Sequence, residues 1–112
     1  MSARLASGML VSGLIRKVAA EGGNGMVLAR GDDTAGAVLV LLAMRGQVTG
    51  LRERGWRPDG SRAWIPSGPA EAGDPMILSA YIERRRRSDP DLWVVELDGI
   101  EEIAVDHLLE GL

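Results

Sequence analysis

Ala37-Val38-Leu39-Val40-Leu41-Leu42-Ala43-Met44 is the stretch that decides the fold. It is the longest apolar run in the chain, and it has no polar side. A strand sends successive side chains to opposite faces, so a strand here must be covered on both. Its length and its valines favour a strand over a helix. Leu92-Trp93-Val94-Val95-Glu96-Leu97 repeats the pattern: Leu92 and Val94 point one way, and Trp93, Val95 and Leu97 the other. Two strands apolar on both faces predict a mixed sheet lying between helical layers.

The flanking segments supply those layers. Arg4 to Glu21 is predicted to be a helix, because Val11, Leu14, Ile15 and Val18 recur at i, i+3, i+4 and i+7. Gly22-Gly23 ends it. Gly8 and Gly13 weaken its first half, which leaves a short strand before a helix starting at Ser12 as the alternative. Asp74 as N-cap and Pro75 at the first position open a second helix. Leu78, Tyr81, Ile82 and Arg85 form its apolar stripe. Pro90 ends it near Ser88, since the residue before a proline avoids the helical region.

Met26–Arg30 is predicted as a short strand, Gly31–Gly36 as a turn, Arg45-Gly46 as a tight turn and Gln47–Arg52 as a more exposed strand. Gly55–Ser61 is a loop centred on Pro58-Asp59-Gly60, Arg62–Ile65 a short strand, and Pro66–Gly73 a loop. Ala104–Leu109 suits a final short helix. The order is α-β-β-β-β-α-β, an α+β chain. The first four strands are expected to form an antiparallel meander, and the last to enter the sheet centrally. Together they make a three-layer α/β/α-like sandwich. Residues 1–112 are expected to be one domain, with an acidic tail from about 99 to 112.

Composition narrows the chemistry. The 112 residues include no Cys, so disulfides, a thiol nucleophile and thiolate metal sites are excluded. His107 is the only histidine, which rules out a multi-histidine metal site within one chain. No secretory signal is legible: Ser7, Gly8, Ser12 and Gly13 interrupt the weakly apolar N-terminal stretch. The run Ala37–Met44 is far short of the roughly 20 residues that span a bilayer. A cytoplasmic protein without a membrane partner is expected.

Charge is unevenly placed. All 13 bases lie before Ser88 with eight of the 16 acids, whereas residues 89–112 hold the other eight acids and no base. Four consecutive arginines, Arg84 to Arg87, close the second helix. At about 100° per residue they cannot all face one partner, and Arg85 falls on the apolar stripe. Their bland role is to offset the helix macrodipole and pair with nearby acids. Arg84, Arg86 and Arg87 are expected to pair mainly with acids of residues 89–112, within the chain or across a dimer. The sharper role is a binding surface of Arg84, Arg86 and Arg87 with Arg52, Arg54, Arg57 and Arg62. Trp56 and Trp64 interleave with those arginines and could stack on bases. No nucleic-acid-binding signature accompanies them, and the pI is about 5.1.

Asp32 and Asp33 are the turn carboxylates of interest. Turn chemistry accounts for them. A metal-dependent nuclease of restriction-endonuclease type would need a Glu-x-Lys pair on the following strand, and Ala37–Met44 has neither acid nor lysine. Glu96 and Asp98 share a strand face and could bind a cation, or simply mark where the strand meets solvent. His107 and Asp106 are helix neighbours that point apart, so they are no catalytic dyad. Gly22-Gly23-Asn24-Gly25 follows a helix and is no phosphate loop.

Tyr81-Ile82-Glu83-Arg84-Arg85-Arg86-Arg87-Ser88-Asp89-Pro90-Asp91-Leu92-Trp93-Val94-Val95-Glu96 resembles the domain-of-unknown-function 1491 family of small alphaproteobacterial proteins. Arg30-Gly31-Asp32 with Ala35-Gly36-Ala37-Val38-Leu39-Val40, and Leu14-Ile15-Arg16, carry the same likeness, which covers roughly residues 4 to 98. The resemblance implies a stand-alone cytoplasmic bacterial protein with no assigned reaction. It brings no catalytic residues.

The residues therefore offer no nucleophile–base set, no metal cluster and no cofactor fingerprint. A non-enzymatic binding or structural module acting through a protein partner, with a homodimer in view, is the expectation. A nucleic-acid-associated protein, binding or nuclease-like, is the alternative.

Overall fold

The computed structural model describes residues 5–110 and 112. Its elements are α1 (Ser7–Ala20), β1 (Asn24–Ala29), β2 (Val38–Met44), β3 (Gln47–Trp56), β4 (Arg62–Pro66), α2 (Pro75–Ser88), β5 (Trp93–Asp98) and α3 (Glu102–Leu109). The five strands form one mixed sheet in the order β1-β5-β2-β3-β4.

β2 and β5 lie side by side and parallel, with Val38 opposite Trp93 and Val40 opposite Val95. All six residues from Val38 to Ala43 are buried, and so are Trp93, Val94, Val95 and Leu97. The alternation predicted for both strands sorts them into two cores. Val38, Val40, Leu42, Trp93, Val95 and Leu97 pack under α1 and α3, against Leu10, Leu14, Val18, Val105 and Leu109. Leu39, Leu41, Leu92 and Val94 pack under α2, against Leu78 with Tyr81 and Ile82. The three-layer sandwich follows from that division.

The meander is shorter than expected. β2, β3 and β4 are sequential antiparallel neighbours. β1 pairs only with β5, antiparallel, because β5 inserts between β1 and β2. Once a second strand apolar on both faces exists, burial favours placing it beside β2, and β1 is displaced to the edge.

Other boundaries move for local reasons. α1 begins at Ser7, and the alternative of a strand before Ser12 is not realised. The Ser7 hydroxyl donates to the Gly36 carbonyl (2.6 Å), which ties the helix start to the loop before β2. Arg4, the predicted start, lies outside the described residues. β3 runs on to Trp56 through Gly55, four residues past the predicted end. The Ile65 side chain of β4 fills the space a Cβ on Gly55 would need, so glycine extends this strand.

Two caps fix the chain at its turns. Asp74 accepts from the Met76 and Ile77 amides (2.9 and 3.4 Å), as its N-cap position requires. Arg45 (φ 53°) and Gly46 (φ 80°) make the β2–β3 turn, with both residues in the left-handed region that a type I′ turn demands. The Asp98 carboxylate at the end of β5 accepts from both their amides (3.0 and 2.7 Å). It compensates for an arginine where asparagine or glycine is usual.

Two substitutions separate core from cap. Val94→Asp places an unpaired charge between two apolar layers, at a cost comparable to the about 5–15 kcal/mol that stabilises a whole domain. It should yield no cooperatively melting protein. Asp74→Ala should fold and lose about 1 kcal/mol in urea denaturation. A soluble Val94→Asp variant with a cooperative transition would contradict the central placement of β5.

Candidate binding surfaces

The arginines singled out in the sequence do not converge. Val40, beneath α1 and α3, lies opposite Arg52 in the sheet, and Leu39, beneath α2, lies opposite Glu53. Alternation therefore puts Arg52, Arg54 and Trp56 on the α3 side and Glu53 on the α2 side. Arg85 of α2 reaches Glu53 with both guanidinium nitrogens, one at 2.8 Å, and also donates to the Tyr81 hydroxyl (2.9 Å). The sheet thus separates the β3–β4 arginines from those of α2, and these arginines do not form a single basic face.

Each group is engaged within the fold. Across β3 and β4, Arg54 lies 5.3 Å from the Trp64 ring and Arg62 5.3 Å from the Trp56 ring, two cross-strand cation–π pairs. Arg57 opens the tip, where Asp59 accepts from the Ser61 amide and hydroxyl (2.9 and 2.6 Å). The Ser61 contacts hold the Asp59 carboxyl below the ordinary carboxylate range. Arg52 retains only 11% side-chain exposure and binds Asp106 (2.9 Å) and Glu102 (3.2 Å) of α3. Burial opposes its charge, but these acids prevail and raise the guanidinium pKa. Hydrogen bonds donated to the Glu53 carboxylate do the same at Arg85.

Within the chain, the expected pairing of Arg84, Arg86 and Arg87 with the acidic tail does not form among the described residues. Arg84 lies 5.7 Å from the Tyr81 ring, Arg86 donates to the Arg30 carbonyl (3.1 Å) and the Leu92 carbonyl, and Arg87 forms no ion pair with a described residue. Two tail acids, Glu102 and Asp106, find Arg52 instead. The helix α3 folds back over β3, and chain proximity to Arg84–Arg87 does not decide the partner. His107 faces Glu110 at 3.8 Å, apart from Asp106.

Asp32 and Asp33 are part of a joint. The Asp32 carboxylate accepts from the Thr34 and Ala35 amides (3.1 and 2.8 Å), its amide donates to the Asp91 carbonyl (3.0 Å), and its own carbonyl accepts from the Trp93 indole (2.7 Å). Asp33 pairs with Arg30 (2.8 Å), whose guanidinium lies 5.2 Å from the Trp93 ring. Gly31 and Gly36 both press against the Asp91 carbonyl, where a side chain would overlap it. The stretches Arg30–Asp32, Ala35–Val40 and Asp89–Trp93 thus meet in one place.

Sequence reasoning missed a second surface. β1 is an edge strand, and Met26, Val27 and Leu28 are exposed (51%, 39% and 47%). Beside it, under the first turns of α2, lies an open cavity of about 340 Å³ whose walls include Leu28, Leu41, Val48, Leu78 and Ile82. Glu83 and Glu96 add carboxylates to this apolar wall. Asp98 is spent on the β2–β3 turn, so Glu96 and Asp98 do not share a cation site. The signal in the sequence was the uncharged run Met26–Ala29, legible as a strand but not as an edge.

These features define a class, a three-layer α+β protein with an apolar cleft beside a bare sheet edge. The chain belongs to the DUF1491 family of proteins of unknown function, which it matches over residues 5–109. It is similar to the crystal structure of a DUF1491 family protein from Caulobacter crescentus CB15, at 37% identity over 86% of this chain and 89% of that one, TM-score 0.74. A solution structure of a protein from A. tumefaciens is 32% identical over 92% of each chain, TM-score 0.70. None of the curated proteins matches the chain. Among the described residues, no helix is long and apolar enough to cross a membrane.

The joint at Asp32 has a direct test. Gly31→Ala should cost about 3 kcal/mol or more, because neither the Asp91 backbone nor the Trp93 ring can yield without moving β5. Trp93→Phe removes one indole donor and should cost about 1–3 kcal/mol. Urea midpoints measure both, and a Gly31→Ala protein as stable as the wild type would show that the joint is loose.

Proposed function

We propose that this chain is a non-enzymatic, cytoplasmic protein-interaction module, whose partner docks in the cleft between α2 and β1 and which also self-associates as a homodimer. One observation carries the reading: the cleft opens to solvent beside the least protected edge of the sheet, with apolar walls and two carboxylates. Clefts of this size and apolarity beside a free strand suit a short segment of another protein. Glu83 and Glu96 have no ion-pair partner among the described residues, so the segment that fits is apolar with a lysine or arginine beside it. The arginines and tryptophans of β3 and β4 are spent on one another and on α3 acids, which favours this reading over nucleic-acid binding.

The test compares baits in native lysate. Wild-type protein should retain a specific partner, Ile82→Arg should lose it, and the Arg54→Ala/Arg62→Ala double variant should keep it. Labelled single- and double-stranded DNA should show no saturable binding at about 150 mM salt, where screening removes weak phosphate contacts. Loss of the partner only in the arginine variant, or tight DNA binding, would overturn the proposal.

A further inference from the structure

Glu96 breaks the pattern of the strand that carries it. Along β5 the residues facing α2 are Val94, Glu96 and Asp98, because alternate side chains share a face. Val94 is fully buried, and Asp98 spends its carboxylate on the β2–β3 turn. Glu96 lies between them, opposite Met26 of β1 on one side and Leu41 of β2 on the other. It is half-buried in the sheet floor of the cleft, and no described residue gives its carboxylate an ion pair or a hydrogen bond. The arginines of α2 are engaged elsewhere: Arg85 with Glu53 and the Tyr81 hydroxyl, Arg86 with the Arg30 and Leu92 carbonyls. A carboxylate between apolar side chains on a central strand disfavours folding unless a cation compensates it. The fold makes no use of this one, and such exceptions to a local pattern gather at functional sites.

We infer that Glu96 is the anchor of the cleft, and that it receives the ammonium group of a lysine on the docking segment, whose backbone extends along β1. The inference rests on the proposed docking of a partner segment and names the contact that selects it. β1 lies between β5 and solvent, and its pairing of Met26 with Glu96 precedes the bulge between Val27 and Ala29, so the register there is regular. A residue set opposite Met26 by an added strand shares the face of Met26, and its strand lies two spacings, about 9.5 Å, from β5. The four-carbon stem of a lysine can lie across the apolar Met26 side chain and bring a compact point charge to the carboxylate. Glu83, on the α2 wall, adds a second negative charge to the same cleft.

Charge complementarity decides the occupant. β1 of a second copy offers no base, since Asn24 to Ala29 are all uncharged. A nucleic acid brings phosphates, which the two carboxylates repel. A segment of another protein, with a lysine among apolar residues, answers both the charge and the apolar walls.

n-Butylamine is the lysine side chain as a free molecule, and n-butanol is its uncharged control. Titrated into the isotope-labelled full chain, n-butylamine should saturably shift the amide resonances of Met26, Leu41 and Glu96, and n-butanol should bind about tenfold more weakly or worse. Glu96→Gln keeps the shape of the side chain. It should abolish the difference between the two probes and leave the melting temperature unchanged or higher, whereas loss of a residue that holds the fold together would lower it. A carbodiimide joins a carboxylate to an amine in contact with it as an amide and leaves as its urea. With the lysate partner bound, it should couple Glu96 to a lysine of that partner, read by mass spectrometry, and Glu96→Gln should release the partner as Ile82→Arg does. Equal binding of n-butylamine and n-butanol to the wild type overturns the inference. So does full capture of the partner by Glu96→Gln, and its loss from Ile82→Arg alone then leaves the docking reading intact. Glu96-dependent binding of n-butylamine with no protein captured overturns the docking reading and the lysine segment together, and leaves a site for a free amine.

Discussion

Everything else in this protein is arranged around the parallel pairing of β2 with β5. Both strands are apolar on two faces, and the 0% exposure of Val40, Val94 and Val95 is reached only because each covers the other's flank within the sheet. A pair of that kind needs a helical layer on each side. α1 and α3 supply one, and α2 supplies the other while carrying the chain from β4 back to the middle of the sheet. Inserting β5 between β1 and β2 buries the most apolar segment of the C-terminal half and moves β1 to the edge. The bare edge is thus a consequence of how the core is satisfied.

The insertion also explains the joint. For β5 to run beside β2, the turn at Asp89–Leu92 must pass close to the loop that precedes β2, and Gly31 and Gly36 allow the approach. The Trp93 indole then donates to the Asp32 carbonyl and the Asp32 amide to the Asp91 carbonyl across it, while the Asp32 carboxylate holds its own turn by accepting from the Thr34 and Ala35 amides. Two of the three stretches by which the sequence resembles its family, Arg30–Val40 and the Asp89–Trp93 part of Tyr81–Glu96, meet here. At Gly31 and Gly36 the residue type is set by the close approach of two backbones.

Local patterns carried most of the architecture. The alternation in Leu92–Leu97, the Asp74-Pro75 start and the stop before Pro90 were all legible, since each depends on neighbours in sequence. What was not legible depends on pairing across the sheet. The strand β1 read as a meander strand because nothing within Met26–Arg30 says which strand lies beside it. β3 read short because Gly55 looks like a loop residue until Ile65 is placed over it. The arginines read as a cluster because sequence cannot show that β3 alternation turns Arg52 toward Asp106 and Glu53 toward Arg85. The cleft was invisible for the same reason: its walls come from β1, β2, β3, α2 and β5, segments far apart in the chain.

Native-state hydrogen exchange at low protein concentration tests the central claim most directly, because it ranks the strands by how they open. The account requires Val40, Leu41, Val94 and Val95 to exchange slowest, only through global unfolding, and the outward amides of β1 to exchange fastest among the strands. If β5 exchanged by local opening while β1 stayed protected at high dilution, the sheet would not be organised around the β2–β5 pair.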